Sequence, residues 1–532
     1  MTTPNIYPLV ITTLSPVHIG CDEIFEPTNF VIENGLLHVL DPANVAAALK
    51  ENEKRQLLRL ADERDPIGGI QQFFKKHRTR LAQAARQWVD VAPGIADEYE
   101  EKAGKPQQRS SDGRVVYNLF PMARTAFNPL DGAPYLPGSS LKGSIRTAWL
   151  NFQNERKPLI EKNENSARLQ QRLMGYRMDK LENDPFRCLA VADAHVPADR
   201  MAPPTRIVYA VSKKKKPSER GSPELKVFLE TVHETMAEAF AGELRLTGRI
   251  GWEALCDACN AFYRPQLESE LDHELFRTLL DSRWRTLIKK LLASELGELM
   301  TARQGFLLRV GRHSGAESVT LDVVRSIKIK TPKGQPDERA STTEKRFASQ
   351  KRTATDSLLP FGWVWVSSCD DAYQYLAMAV HHQISQHAAP VLEAHAERLA
   401  AADERAEKHA EEQREDLRRQ ADAEAARQAE AAAQAAYEQE LAAMSVNRRK
   451  IREFRDFCRK RAGQLGKNRE ALNGDIHNRA RQLIASAVGG TEWTAEEKCE
   501  LADVITEWLP KLVARMDKDQ LKKLKLSAMR GN

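Results

Sequence analysis

The chain lacks an apolar run long enough to cross a membrane. Its first residues lack a basic segment followed by an apolar core. No membrane partner is expected, and the cytoplasm is the expected location. The seven cysteines are scattered, without the even framework of a disulfide-stapled secreted domain. Free thiols in a reducing compartment are therefore expected. Cys256 and Cys259 form a lone C-x-x-C inside the helix-like run Trp252–Tyr263. No second pair stands at zinc-site spacing, so helix packing is their simpler role and no metal is expected. A P-loop and a paired-carboxylate motif are also missing. The sequence thus offers no catalytic constellation and calls for no cofactor.

At 532 residues the chain exceeds one ordinary core, so two or more domains are expected. The formal charge is +6. Ser445–Asn532 alone holds 20 Lys/Arg against 12 Asp/Glu, a surplus larger than that of the whole chain. The rest is slightly acidic, and cationic surface is confined to the tail and to local clusters. Such clusters suit a polyanionic partner.

The most informative stretch is Pro137-Gly-Ser-Ser-Leu-Lys-Gly-Ser-Ile-Arg146. It reads as a turn opening a helix, with Ser139 or Ser140 as cap. Leu141, Ile145, Ala148, Trp149 and Phe152 share one helical face. Lys142 and Arg146, four apart, lie together on its flank. Free N–H groups, two hydroxyls and two cations pointing one way suit an anion, phosphate above all. An ordinary capped amphipathic helix is the plainer alternative. This literal string, Gly138 and Gly143 included, resembles the signature of the RAMP superfamily, the RRM-like RNA-binding proteins of CRISPR effector complexes.

Upstream, Tyr7–Leu14 alternates as a first strand that ends at Ser15-Pro-Val-His-Ile-Gly20. Asn34-Gly35 between Phe30–Ile32 and Leu36–Leu40 signals a hairpin. A helix capped at Asp41 should run to about Leu60. A second helical pattern spans Ile70–Trp88, and Lys102–Gly113 reads as a loop. The run Leu14–Gly20 with its hairpin resembles one RAMP branch, the type III-A (Csm) terminal subunit that caps the guide RNA's 3′ end. Some RAMP endonucleases use a histidine after the first strand as general acid or base. Here His18 has no second histidine or tyrosine partner by spacing. RNA contact or structural capping is expected of it, with guide-processing cleavage as the alternative.

Lys157–Met178 reads as a helical insertion and Leu189–Asp193 as a short strand. Arg206–Val211 and Leu225–Glu230 read as a hairpin whose basic tip contains Lys213, Lys214, Lys215 and Lys216. By position it resembles the thumb that leans over the guide in RAMP backbone subunits. Glu243–Gly248 should be a strand, and Leu267–Glu298 helical. Phe306–Val310 is a strand that runs into Gly311-Arg-His-Ser-Gly315, where glycines let backbone amides approach a phosphate. The string Leu308–Asp322 resembles the glycine-rich loop of the same branch, and these strings point away from type III-B relatives. Val324–Lys330 alternates as a strand with cations on one face, and Lys333–Thr355 reads as a loop. Leu358–Val366 resembles the family's closing Pro-x-Gly-Trp strand.

Ala388–Met444 should form a helix on the order of 80 Å long, either single and solvated or in a weak antiparallel coil. Ser445–Asn532 returns to amphipathic helices. The expected fold is α+β: an RRM-like (ferredoxin-like) RAMP core with glycine-rich loops and helical insertions, then a long helix and an all-α C-terminal domain. Expected divisions fall at 1–240, 241–370, 371–444 and 445–532. The aromatic pattern with which RRM sheets stack bases is missing, so binding should run through phosphates with little base specificity. The residues expected to meet RNA are His18, Gly138, Ser139, Ser140, Lys142, Gly143, Arg146, Lys213 to Lys216, Arg309, Gly311, Arg312, His313, Ser314, Gly315, Lys328 and Lys330. The resemblance implies as partners the CRISPR guide RNA, a neighbouring RAMP backbone subunit and a small helical subunit. It also implies cellular ribonucleases that trim the guide's 3′ end.

Overall fold

A computed structural model describes residues 4–63, 66–85, 87–109, 115–156, 164–177, 179–216, 227–248, 250–329 and 336–531. The chain divides into two compact units, 1–411 and 412–532.

The first unit is built on two sheets. In the five-stranded sheet the first strand, Asn5–Thr13, lies between Met236–Leu246 and Trp363–Ser367. Leu189–Val191 flanks the former, and Gly305–Arg309 flanks the latter. Every pairing is antiparallel. The signature helix, Gly138–Arg156, connects the first strand to Leu189–Val191, and helix Trp252–Asp272 follows Met236–Leu246. The chain order and strand order are those of a βαββαβ ferredoxin-like unit, with Gly305–Arg309 as an added edge. Leu9, Ile11, Phe240, Leu244 and Val366 fill the inner face of the sheet. Leu141, Ile145 and Ala148 of the signature helix are buried, as their spacing predicts, with Cys256, Cys259 and Tyr263 of the second helix. The Tyr263 hydroxyl donates to the Ser144 carbonyl at 3.0 Å and ties the two helices together.

The second sheet is mixed. It runs Gly20–Phe25, Met122–Thr125, Phe228–Val232, Thr205–Lys214, Trp88–Val91, Leu36–Val39, Phe30–Glu33. Asn34 and Gly35 both have positive φ, which the two-residue turn of its hairpin requires.

Several expectations need correction. The boundary near residue 240 falls inside the strand Met236–Leu246, and residues 1–411 form one compact unit. The helix after Asp41 is two helices, Pro42–Ala48 and Glu51–Ala61. The Glu53 carboxylate takes the Lys50 N–H at 2.8 Å and restarts the helix there. Trp88 opens a strand rather than closing a helix. The 102–113 loop holds a strand, Pro106–Arg109, paired with Val115–Tyr117. The 267–298 run is three pieces, ending at Asp272 and resuming at Ser282 and Glu295. The 333–355 loop contains strand Glu344–Ser349, paired with Thr205–Lys214. Its charges hid it, because Lys345 is neutralised by the distant Glu270.

The long helix spans Gln374–Ala443, so it starts earlier than expected. Leu376, Val380, Ile384 and Ala388 pack it into the core of the first unit. Asp90 anchors it further along: His395 Nδ1 lies 2.9 Å and Arg398 Nε 3.0 Å from the Asp90 carboxylate. The second unit has its own core, with Ile451, Phe454, Ile484, Leu501, Ile505 and Leu509 at its centre. No helix among the described residues is long and apolar enough to cross a membrane.

Candidate nucleic-acid interface

Three segments meet where the first strand ends. The turn Pro16–Gly20, the glycine loop Gly311–Gly315 and the connection Phe361–Trp363 are joined backbone to backbone. Gly362 N–H donates to the Pro16 carbonyl at 2.9 Å, Arg312 N–H to the His18 carbonyl at 2.8 Å, and Val310 N–H to the Gly362 carbonyl at 2.8 Å. Gly311 has φ +79°, and a Cβ there would stand 2.2 Å from the His18 carbonyl oxygen. Only glycine permits both that conformation and that approach. The signature helix joins the group through the Ser144 hydroxyl, which donates to the Arg309 carbonyl at 3.0 Å.

His18 lies inside this junction with no exposed surface. Its Nδ1 is 2.7 Å from the Glu230 carbonyl, so Nδ1 carries the proton and donates. Burial, only partly offset by that carbonyl, pushes the imidazole down to about 4, with Arg312 adding to the shift. His313 is pushed down to about 3, first by burial and then by Arg346, Arg312 and His18. Its ring packs on Phe361 with centroids 5.4 Å apart. Burial thus favours the neutral form of both rings at pH 7. Burial also keeps His18 from direct contact with a ligand; it fixes the turn that supports Arg312.

Many of the other expected contacts are committed within the protein. The Gly138 N–H donates to Asp193 Oδ1 at 2.7 Å, so a carboxylate already occupies the helix terminus. A Cβ on Gly138 would stand 2.3 Å from the Val191 carbonyl oxygen, so this glycine serves close packing. Lys142 Nζ donates to the Leu189 carbonyl at 2.7 Å, and Arg146 pairs with Asp184 at 3.0 Å. Arg309 is buried, 2.6 Å from Glu270, and lies over the Trp363 ring. Arg309 therefore cannot reach RNA. The Ser314 hydroxyl is turned inward onto the Val310 and Gly311 carbonyls. Lys215 pairs with Glu317, whose carboxyl is buried; burial opposes its charge, but Lys215 and Thr342 outweigh that and hold it at about 2.

The exposed members are Ser139, Gly143, Gly311, Arg312, Lys216 and Lys328, with Ser140 and Gly315 half-buried. Lys213 and Lys214 are half-buried in a strand, opposite Lys345 and Glu344. The thumb-like hairpin is present as Thr205–Tyr209 against Phe228–Val232, while residues 217–226 of its tip lie outside the described residues. Lys328 stands on a separate two-stranded hairpin, Ile327–Ile329 with Asp337–Arg339. Lys330 lies outside the described residues.

The sequence reading missed the carboxylates that organise this region. Glu270 accepts from Arg309, Lys345 and Trp363 Nε1. Glu230 accepts from Arg124 Nε, Thr125 N–H and Thr205 Oγ1. Glu230 had one available signal, as a lone acid within a buried strand Phe228–Val232. It missed Arg346 as well, which donates to the Ala210 carbonyl at 3.2 Å and borders His313.

The ferredoxin-like order, the signature helix and the glycine loop define an RRM-like α+β class. A family model described as the RAMP superfamily matches residues 10–293, more than half of the chain, and the chain belongs to that superfamily. It is similar to the CRISPR system Cms protein Csm5 of Methanocaldococcus jannaschii, with 23% identity over 191 residues. That match covers 34% of this chain and 41% of the relative, so the chain spans less than half the length of the curated relative it matches. It is similar in fold to a chain of a Csm–crRNA–target RNA ternary complex of a type III-A CRISPR-Cas system, with TM-score 0.42 and 17% identity. That match covers 68% of this chain and all of the other. It is also similar to Csm5 of T. onnurineus, with TM-score 0.39 and 16% identity, over 67% of this chain and 99% of the other.

Proposed function

We propose that this chain is a non-catalytic guide-RNA-binding subunit of a type III-A CRISPR effector, seated at the end of its protein filament over the guide's 3′ region. The observation that carries the reading is the junction of the Pro16–Gly20 turn with the Gly311–Gly315 loop, which holds Arg312 outward on a rigid glycine frame. Exposed Ser139, Gly143, Lys216 and Lys328 supply further polar surface in the same unit. Contact runs through phosphates and 2′-hydroxyls rather than stacked bases, which suits a subunit that holds guides of any sequence. The matched RAMP superfamily and the likeness to a protein named Csm5 support the assignment. The neutral, buried His18 supports the non-catalytic role. The partners are the guide RNA, the adjoining RAMP backbone subunit and the small helical subunit, with ribonucleases trimming the exposed 3′ end.

The test is UV crosslinking of the protein co-expressed with its CRISPR operon, sequencing peptides and nucleotides together. Crosslinks from the Gly311–Gly315 peptide to the guide's 3′ region are expected. Complexes without guide RNA, or crosslinks to the 5′ region alone, would refute the assignment.

A further inference from the structure

The second unit lies outside the matched family region, and its charges are sorted along its length. Helices Val446–Leu465 and Ala495–Leu512 run parallel, because both ends are pinned. At the starting end Arg448 pairs with Glu496 and Glu500 at 3.3 and 3.6 Å, and Arg455 with Glu500 at 3.7 Å. At the finishing end a short parallel bridge joins the chain after the first helix to the chain after the second. Glu470 N–H donates to the Leu512 carbonyl and Ala514 N–H to the Glu470 carbonyl, both at 2.7 Å. This bridge sets Glu470 against Val513, which brings Lys467 and Arg469 to the same end of the unit as Arg515, with Arg459 and Lys460 in the last turns of the first helix and Lys518 a few residues beyond Arg515.

The acids of the finishing end are engaged, apart from Asp519, which is exposed beside Lys518. Glu470 holds Arg461 at 3.5 Å, Asp475 holds Arg479, Glu507 holds Lys511, and Asp517 caps the Gln520 N–H. Arg459, Lys460, Lys467, Arg469, Arg515 and Lys518 are all exposed, and among the described residues none of them has an ion-pair partner. The two helix C-termini contribute about half a negative charge each, which helps to hold the cations but leaves most of the positive charge uncompensated. Held together by folded backbone, such a group is poised to exchange its counterions for phosphates. The exposed large apolar residues of this unit are Leu417, Val446 and Val488; none belongs to this end. A protein-docking face would need an apolar core, whereas a phosphate backbone needs only the cations.

We infer that the C-terminal helical unit carries a second RNA-binding surface at this end, formed by Arg459, Lys460, Lys467, Arg469, Arg515 and Lys518, which grips single-stranded RNA by its phosphates without base preference. The reading does not depend on the RAMP core's binding RNA.

The test uses the full chain and a fluorescent oligouridine, with anisotropy followed across a salt titration. R459Q/K460Q/K467Q/R469Q/R515Q should lower the log–log salt slope by about 3–4, at roughly 0.7 per lost contact, and weaken binding about tenfold or more. Replacing Lys460, Lys467 and Lys518 by Arg should preserve both. Unchanged helicity and melting confirm that the neutralised chain is folded, as expected for exposed side chains. A five-fold variant with wild-type slope and affinity overturns the inference. So does a loss that the charge-reversed K467E/R469E chain, folded by the same criteria, does not share. A separate R312Q/K216Q/K328Q chain reports on the core: wild-type binding there counts against the proposed function and leaves this inference standing.

Discussion

Glu270 is the most exposing place to test the account of the core. Its carboxylate is almost wholly buried between Arg309 at 2.6 Å, Lys345, and the Trp363 indole N–H at 2.8 Å. Burial opposes its charge, yet Arg309 and Lys345 outweigh burial and hold it down at about 2. Glu270→Gln keeps the shape and an acceptor for Trp363 but strips the charge from two cations, Arg309 and Lys345, that stay buried. Breaking a buried pair in this way costs about 3–5 kcal/mol, which lowers the melting temperature by about 3–6 °C in a unit of this size. The assay is calorimetry across pH. A carboxyl depressed in the folded state stabilises fully above its unfolded value near about 4.3, and that stability is lost as pH falls towards 2. The gap between wild type and variant should therefore hold steady above pH about 5 and close in acid. A gap below about 1 kcal/mol at neutral pH, or one that widens in acid, would refute the reasoning.

Three further outcomes follow from particular contacts. Gly138→Ala should destabilise by about 1–3 kcal/mol, since its Cβ would meet the Val191 carbonyl; Gly143→Ala, facing open space in the same helix, should stabilise by about 0.5–1 kcal/mol, and paired thermal melts decide both. His18→Ala should cost about 2–3 kcal/mol through its lost hydrogen bond and the cavity left behind; guide RNA incubated with either protein should keep the same length on a sequencing gel. Asp90→Asn removes the carboxylate that holds His395 and Arg398, so amides around residues 390–399 should exchange faster by hydrogen–deuterium mass spectrometry while those of Gly305–Arg309 keep their protection.

Local pattern carried much of the architecture. The signature helix shows its buried stripe at Leu141, Ile145 and Ala148, and Asn34-Gly35 forms its turn because two successive positive φ values demand such residues. The closing strand at Trp363 and the helical tail were equally legible. Strand Glu344–Ser349 was not, because a run containing Glu344, Lys345 and Arg346 has no apolar alternation until a partner carboxylate is in place. The break after Ala48 and the strand at Trp88 failed for a related reason: a three- or four-residue event is decided by one hydrogen bond or one neighbouring strand, below the span over which periodicity speaks.

The sequence by itself determined that this is a RAMP-type α+β chain with a glycine loop, a signature helix and a basic helical extension, since each rests on residues close together along the chain. Only the tertiary structure decided which cations face solvent. Lys142 is taken by a carbonyl 47 residues away, Arg309 by a carboxylate 39 residues away, and Lys215 by one 102 residues away. Charge pairing has no period in sequence and depends on distances set by folding, so a lysine written beside a glycine loop is indistinguishable from one that binds until its partner is seen. Arg312 stays outward because the His18 carbonyl holds its backbone, not its side chain.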